Sequence, residues 1–227
     1  MHFHFVTLFP GAFDSYLGES ILKRAIEDRK IKVSFYNPRD FAENKPARTE
    51  RGSARSGGWN RRVDRPPYGG GPGLVIEALP VVRAIEKAEK VARGKEKIIF
   101  LSPGAKQFTN TYAAKAAKKY KHLIVVCGRY EGIDARVKKV FKGEELSVGP
   151  FVLTGGELPA MIIMDAIARQ LPGVLGNLDS LEERRTTSAD AYTRPEVFTY
   201  NKKSYRVPRI LLSGHRAKIE EWKRGRK

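Results

Sequence analysis

The stretch HLIVVCGRYEGID, residues 122–134, sets an unbroken apolar run against a polar corner in which Gly128 and Gly132 flank Arg129, Tyr130 and Glu131. Consecutive apolar residues of strand length, without alternation, mark a strand covered on both faces, the condition of strands in a parallel sheet. The corner is where such a strand leaves the core, and its glycines open backbone conformations closed to other residues. A polar exit from a buried strand is a candidate ligand site, because open α/β sheets bind ligands outside the carboxyl ends of their strands.

Outward from this stretch the pattern repeats. FHFVTLF (3–9), KVSFY (32–36) and KIIFL (97–101) read as strands beside LIVV (123–126). LPVVRAIEKAEKVA (79–92), TNTYAAKAAKKY (109–120) and ELPAMIIMDAIARQL (157–171) read as helices, with Thr109 a ready N-cap. Strands separated by helices predict an α/β fold with a mostly parallel sheet. Residues 37–73 interrupt it with eight Arg or Lys, four acids, five Pro and seven Gly, and hold no sustained apolar period. Within them, a basic insertion over about 44–62 reads as a solvated loop, whereas YGGGPG (68–73) has the backbone freedom to approach a ligand. The end, AKIEEWKRGRK (217–227), reads as a short helix and a basic tail.

Composition narrows the function. Forty-three Lys and Arg against 25 Asp and Glu give a net charge of +18, which points to a polyanionic partner, nucleic acid first. No stretch approaches a membrane span, the start MHFHFVTLFPGAFD lacks the basic region of a signal peptide, and one cysteine, Cys127, forms no intrachain disulfide. A cytoplasmic protein is expected. His2, His4, His122 and His215 lack the spacing of metal ligands, so no metal site is expected, and His2 and His4 read as flanking a strand edge.

Three loops carry the chemistry: LSPGAK (101–106), CGRYEGID (127–134) and LSVGPFVLTGGELPAM (146–161), the last opening a helix. Together they predict one composite pocket. The P-loop, the dinucleotide GxGxxG and the nucleophile elbow GxSxG are absent, which leaves an adenosine-containing ligand held by backbone groups as the expected occupant.

YGGGPG, LSP, CGRYEGID, SVGPFVLTGGELPAM, LPGVLG (171–176), YTRPEV (192–197) and LLSGHRAKIEEW (211–222) follow one another as in the bacterial tRNA (guanine-N1) methyltransferases, a family of the SPOUT superfamily that this chain resembles. The resemblance implies a SPOUT domain with a deep trefoil knot over 1–176, a linker over 177–191 and a short C-terminal tRNA-binding segment over 192–227. It also implies S-adenosylmethionine as methyl donor, Mg²⁺ as a candidate auxiliary ion, a homodimer with a shared active site, and tRNA as the partner methylated on guanosine beside the anticodon.

Carried over residue by residue, the family's donor pocket falls on Phe100, Leu101, Ser102, Pro103, Gly128, Tyr130, Glu131 and Gly132, then on Ser147, Val148, Gly149, Phe151, Leu153, Gly155, Gly156 and Pro159. Arg169 takes the place of the arginine that steadies charge on the guanine O6. Asp179 takes that of the general base, with Glu182, Glu183 and Asp190 as rivals in the linker. RNA contacts fall on Asp64, Pro72, Gly73, Arg194, Gly214 and Arg216. The chain departs from the family at DRPP (64–67), at Gly104 and Ala105, and in a short C-terminal end. These departures leave open a second reading, an RNA-binding module of the same fold that holds the donor without efficient catalysis.

Overall fold

The computed structural model describes residues 1–43, 62–93, 96–176 and 190–225, so all but one residue of the expected basic insertion lies outside the described residues. The chain divides into two compact units, Met1–Gly176 and Asn177–Lys227.

The first unit runs β1 (His2–Val6), α1 (Asp14–Leu17), α2 (Ser20–Glu27), β2 (Lys32–Tyr36), β3 (Asp64–Arg65), β4 (Val75–Ile76), α3 (Ala78–Ala92), β5 (Glu96–Gln107), α4 (Asn110–Lys119), β6 (His122–Val126), α5 (Arg136–Val140), β7 (Glu144–Ser147) and α6 (Glu157–Ala168). Five strands form a wholly parallel sheet in the order β2-β1-β6-β5-β7. β3 and β4 pair separately as a short antiparallel ribbon.

The sheet is covered twice, as the unbroken apolar runs require. On one face Phe3, Phe5, Leu123, Val125 and Ile99 pack with Leu22 and Ala25 of α2, Ala113 and Ala116 of α4, and Ile163, Met164 and Ile167 of α6. On the other, Val6, Ile124, Val126, Ile98 and Phe100 meet Val81, Ala84, Ile85 and Ala88 of α3 and Val137 of α5. Each strand thus sends alternate residues to opposite layers. α4 begins where its cap predicts, with the Thr109 hydroxyl accepting from the Tyr112 amide at 3.2 Å.

LSPGAK departs from its reading as a simple loop. β5 runs on through it, and Leu146 of β7 stands opposite both Leu101 and Lys106. Residues 102–105 therefore bulge out of the ladder, where Pro103 has no amide hydrogen to donate.

In the second unit β8 (Val197–Tyr200) and β9 (Lys203–Arg206) form a hairpin, followed by α7 (Arg209–Leu212) and α8 (Arg216–Arg224). Its two turn residues, Asn201 and Lys202, both have positive φ, 48° and 60°, the twist that suits a two-residue hairpin. Phe198 and Tyr205 stack across the ribbon with ring centroids 5.2 Å apart.

The expectation for His2 and His4 needs correction. β1 is an interior strand, and both rings are buried. Sequence spacing does not reveal that β6, more than a hundred residues on, lies beside β1 and sets His122 against His2. His4 Nε2 lies 3.0 Å from His122 Nδ1, and His4 Nδ1 lies 3.0 Å from the Tyr36 hydroxyl.

Burial, with the Lys32 charge a lesser cause, lowers His2 to about 4. Burial, with His2 and His122 as lesser causes, lowers His4 to about 3. Burial also lowers His122, Glu96 opposing it. An unfolded histidine titrates near about 6.5, so below that pH the unfolded chain binds protons the native state refuses, and stability falls with pH. The unfolding temperature is accordingly expected to drop steadily from pH 6.5 towards 4, with a shallower drop in His4→Gln; thermal unfolding followed by circular dichroism across that range checks it.

Candidate active site

One cavity of about 410 Å³ is lined by residues 100–103 of β5 at its bulge and by the segments that follow β6 and β7. The corner after β6 is held from two sides. Tyr130 takes φ +60° and Gly132 φ +114°, conformations that close the chain into a tight turn with Gly132 N donating to Arg129 O at 3.0 Å. From one side the 74–76 segment grips it: Glu131 N donates to Leu74 O, Ile76 N to Gly132 O, and Asp134 N to Ile76 O, each at 3.0 Å. From the other, Gly156 N donates to Gly128 O at 2.9 Å. A side chain at Gly156 would meet the Cys127 backbone at 2.7 Å, so a glycine is required for the third loop to lie against the second.

Beneath this corner lies a buried carboxylate. Glu157, only 2% exposed, accepts from the Thr7 hydroxyl at 2.7 Å and from Arg129 Nε at 2.8 Å. Arg129 also sits over the Phe9 ring, 4.6 Å from its centroid. Glu157 opens α6, where a negative charge complements the helix dipole. One ion pair therefore ties the exit of β1, the exit of β6 and the start of α6 together.

The third loop is shaped by its own polar groups. The Ser147 hydroxyl donates to Gly149 O at 2.9 Å and accepts from Gly149 N at 3.2 Å. The Cys127 thiol, fully buried, is pushed well up by desolvation and is no nucleophile at neutral pH.

All sixteen residues expected of the donor pocket line this cavity: Phe100, Leu101, Ser102, Pro103, Gly128, Tyr130, Glu131, Gly132, Ser147, Val148, Gly149, Phe151, Leu153, Gly155, Gly156 and Pro159. Arg129, Lys138, Leu146 and Thr154 also line it without having been expected. Arg129 and Glu157 were legible only as charged residues beside glycines; their pairing spans 28 positions and no local spacing announces it.

Within the first unit, Arg169, Asp64, Pro72 and Gly73 are not among the residues that line this cavity. Arg169 caps the far end of α6, a helix of 12 residues and so about 18 Å long, from the end that touches the cavity. Asp179, Glu182 and Glu183 lie outside the described residues, and Asp190 is exposed in the second unit. Asp64 lies on β3 with Arg62 at 3.5 Å. Gly73 borders Glu131, whose carboxylate would meet a side chain there at 2.6 Å, and Pro72 beside it is exposed. Arg194, Gly214 and Arg216 belong to the second unit, where Arg216 pairs with Glu220 at 3.3 Å. A second basin, of about 1200 Å³, shares Glu131 and Ile133 with the first and is lined by Arg62, Arg65, Tyr68, Arg83 and Arg136.

A cavity of this volume falls in the range of small-molecule sites, and its walls suit a nucleoside. Leu101, Leu146 and Leu153 offer apolar contact, the glycine turns offer amide and carbonyl groups, and Glu131 offers acceptors for hydroxyls. An open parallel sheet with such a pocket at its carboxyl edge, and no phosphate-binding fingerprint in the sequence, fits the class of α/β proteins that hold a nucleoside-bearing cofactor through backbone groups.

The comparisons make this specific. The profile of the family described as tRNA (Guanine-1)-methyltransferase TrmD matches residues 1–227, and the chain belongs to that family. It is similar to the tRNA (guanine-N(1)-)-methyltransferase of Pseudoalteromonas atlantica, 42% identical over 225 residues, 97% of this chain and 78% of the relative. That of Geobacter sulfurreducens is 42% identical over 230 residues, covering 99% and 85%. That of Campylobacter jejuni subsp. doylei is 40% identical over 227 residues, covering 98% and 90%. The family implies S-adenosylmethionine as methyl donor.

Because Glu157 is buried with two partners, Glu157→Gln is expected to cost about 1–3 kcal/mol of unfolding free energy in urea titration. The same variant should weaken S-adenosylmethionine binding in calorimetry, since the second and third loops lose their shared anchor. Gly155→Val, whose side chain would collide with Arg129, should weaken the donor further.

Proposed function

We propose that this protein transfers a methyl group from S-adenosylmethionine to N1 of a guanosine beside the anticodon of tRNA, working as a homodimer in the cytoplasm, and that Met1–Gly176 is a SPOUT domain with its deep trefoil knot. The observation that carries the reading is the convergence of three separate loops on one cavity in a chain of this family. The donor, when bound, supplies an electrophilic methyl group. The chain's part is to hold it: the bulge at Ser102–Pro103, the corner at 128–132 and the turn at 147–156 surround it on three sides.

The acceptor nitrogen carries a proton at neutral pH, so a base must take it as the nitrogen attacks. Asp179 is assigned that role, with Arg169 countering the charge that spreads to O6. Arg169, a helix length from its own chain's cavity, serves a cavity contributed by a second copy.

A dimer is supported by α6 itself. Leu158 and Ile162, one turn apart, remain 56% and 47% exposed on a helix whose only charged residues are Glu157 and Asp165, and an exposed apolar pair of this kind suits a partner surface. The net charge of +18 and the arginine-lined second basin suit the RNA, with Asp64, Pro72, Gly73, Arg194, Gly214 and Arg216 as its proposed contacts. Mg²⁺ is proposed as an auxiliary ion. The non-catalytic alternative is not favoured, since the similar proteins, aligned over nearly the whole chain, bear the names of enzymes.

Asp179→Asn is expected to leave donor binding unchanged and to slow single-turnover methylation of unmodified tRNA at least about a hundredfold. Nucleoside analysis of the product checks the position modified; a parent rate in Asp179→Asn, with loss in Asp190→Asn or Glu183→Gln, would move the base. Leu158→Glu with Ile162→Glu should convert a dimer to monomers in sedimentation and abolish turnover.

A further inference from the structure

The amino edge of the sheet, opposite the cavity, holds a cluster that methyl transfer does not use. His2 opens β1, His122 opens β6 in register beside it, and His4 follows two residues along β1 on the same face. One ring nitrogen from each lies within 4.8 Å of the others, and the His4–His122 pair is already at 3.0 Å. Two imidazole nitrogens on one tetrahedral zinc ion stand about 3.4 Å apart, as follows from a bond length of about 2.0–2.1 Å. The parallel register holds the three backbones, so small ring rotations convert the one set of distances into the other.

We propose that His2, His4 and His122 form a binding site for a late first-row divalent cation, Zn²⁺ foremost. Three imidazoles are a donor set for Zn²⁺, Cu²⁺ or Ni²⁺, and not for the oxygen-seeking Mg²⁺. The outer partner of a metal-bound histidine is in place: the Tyr36 hydroxyl lies 3.0 Å from His4 Nδ1, which holds the proton on that nitrogen and directs the lone pair of Nε2 to the ion. Ser34 Oγ, 2.9 Å from His2 Nε2, steadies the second ring. His122 is half-buried and gives the ion an entry path, and Glu96, opposite it on β5, adds an acidic neighbour against the Lys32 charge. Three protein ligands leave a fourth position for water. On binding, the proton shared between His4 Nε2 and His122 Nδ1 leaves that bond, and His122 carries its proton on Nε2.

The test uses the full chain, stripped by a chelator and dialysed free of it, then titrated with zinc chloride in a calorimeter, with metal content counted after desalting. One Zn²⁺ per chain is expected, with a rise in unfolding temperature and, for Co²⁺, the visible bands of a tetrahedral site. Loss of an outer partner alone typically weakens a metal site about 10–100-fold, so His2→Ala and His122→Ala should each weaken it at least about tenfold. Both should keep the rate of tRNA methylation, because they lie at the opposite edge from the cavity, while the lost ring contacts lower the metal-free unfolding temperature. His215→Ala should change nothing. Failure of the parent to take up zinc, uptake undiminished in His2→Ala/His122→Ala, or uptake lost in His215→Ala alone would each overturn the site. Should the double variant not fold, His122→Asn at the half-buried position takes its place: weakened uptake supports the site, and undiminished uptake overturns it.

Discussion

A carboxylate buried at the start of a helix must find hydrogen-bond donors, and Glu157 finds them in Thr7 and Arg129, from two different strand exits. The site rests on that constraint. Thr7 follows β1, Arg129 follows β6 and Glu157 opens α6, so satisfying one charge brings together three parts of the chain that are far apart in sequence. With the pair made, Gly156 can rest on Gly128 and the third loop closes over the second. The polar corner after the apolar run HLIVV is therefore both wall and clamp: its amides and carbonyls are held by the 74–76 segment, and its arginine is held by Glu157.

The doubly covered sheet sorts the chemistry by edge. Loops at the carboxyl edge converge on a cavity because parallel strands all end in the same direction, and the bulge in β5 pushes Ser102 and Pro103 into the wall where an unbroken ladder would have kept them in line. At the amino edge the same parallel register aligns His2 with His122. α6 links the two requirements of the proposed reaction. Its first turn belongs to the cavity, its last residue leads to Arg169 a helix length away, and Leu158 and Ile162 stand exposed along it.

Much of this was legible in residues. Apolar runs at 32–36, 97–101 and 123–126 announced strands, Thr109 announced the start of α4, and the glycine-rich turns announced where the pocket residues would stand. What was not legible has a common cause. β7 and α5 are too short to show a period, β3 and β4 exist only by pairing with one another, and LSPGAK reads as a loop because its proline and glycine hide the strand that resumes at Lys106. Arg129 and Glu157 looked like turn residues until the fold paired them.

By itself, then, the sequence determined the α/β class, the edge of the sheet at which the cavity opens, and the residue types that line it, because periodicity and turn chemistry are local properties of the backbone. Only the tertiary structure decided that β6 inserts between β1 and β5. From that one placement follow the contact of His4 with His122 and the ion pair beneath the corner. Each joins groups distant along the chain, and such contacts depend on which strands become neighbours rather than on the residues that compose them.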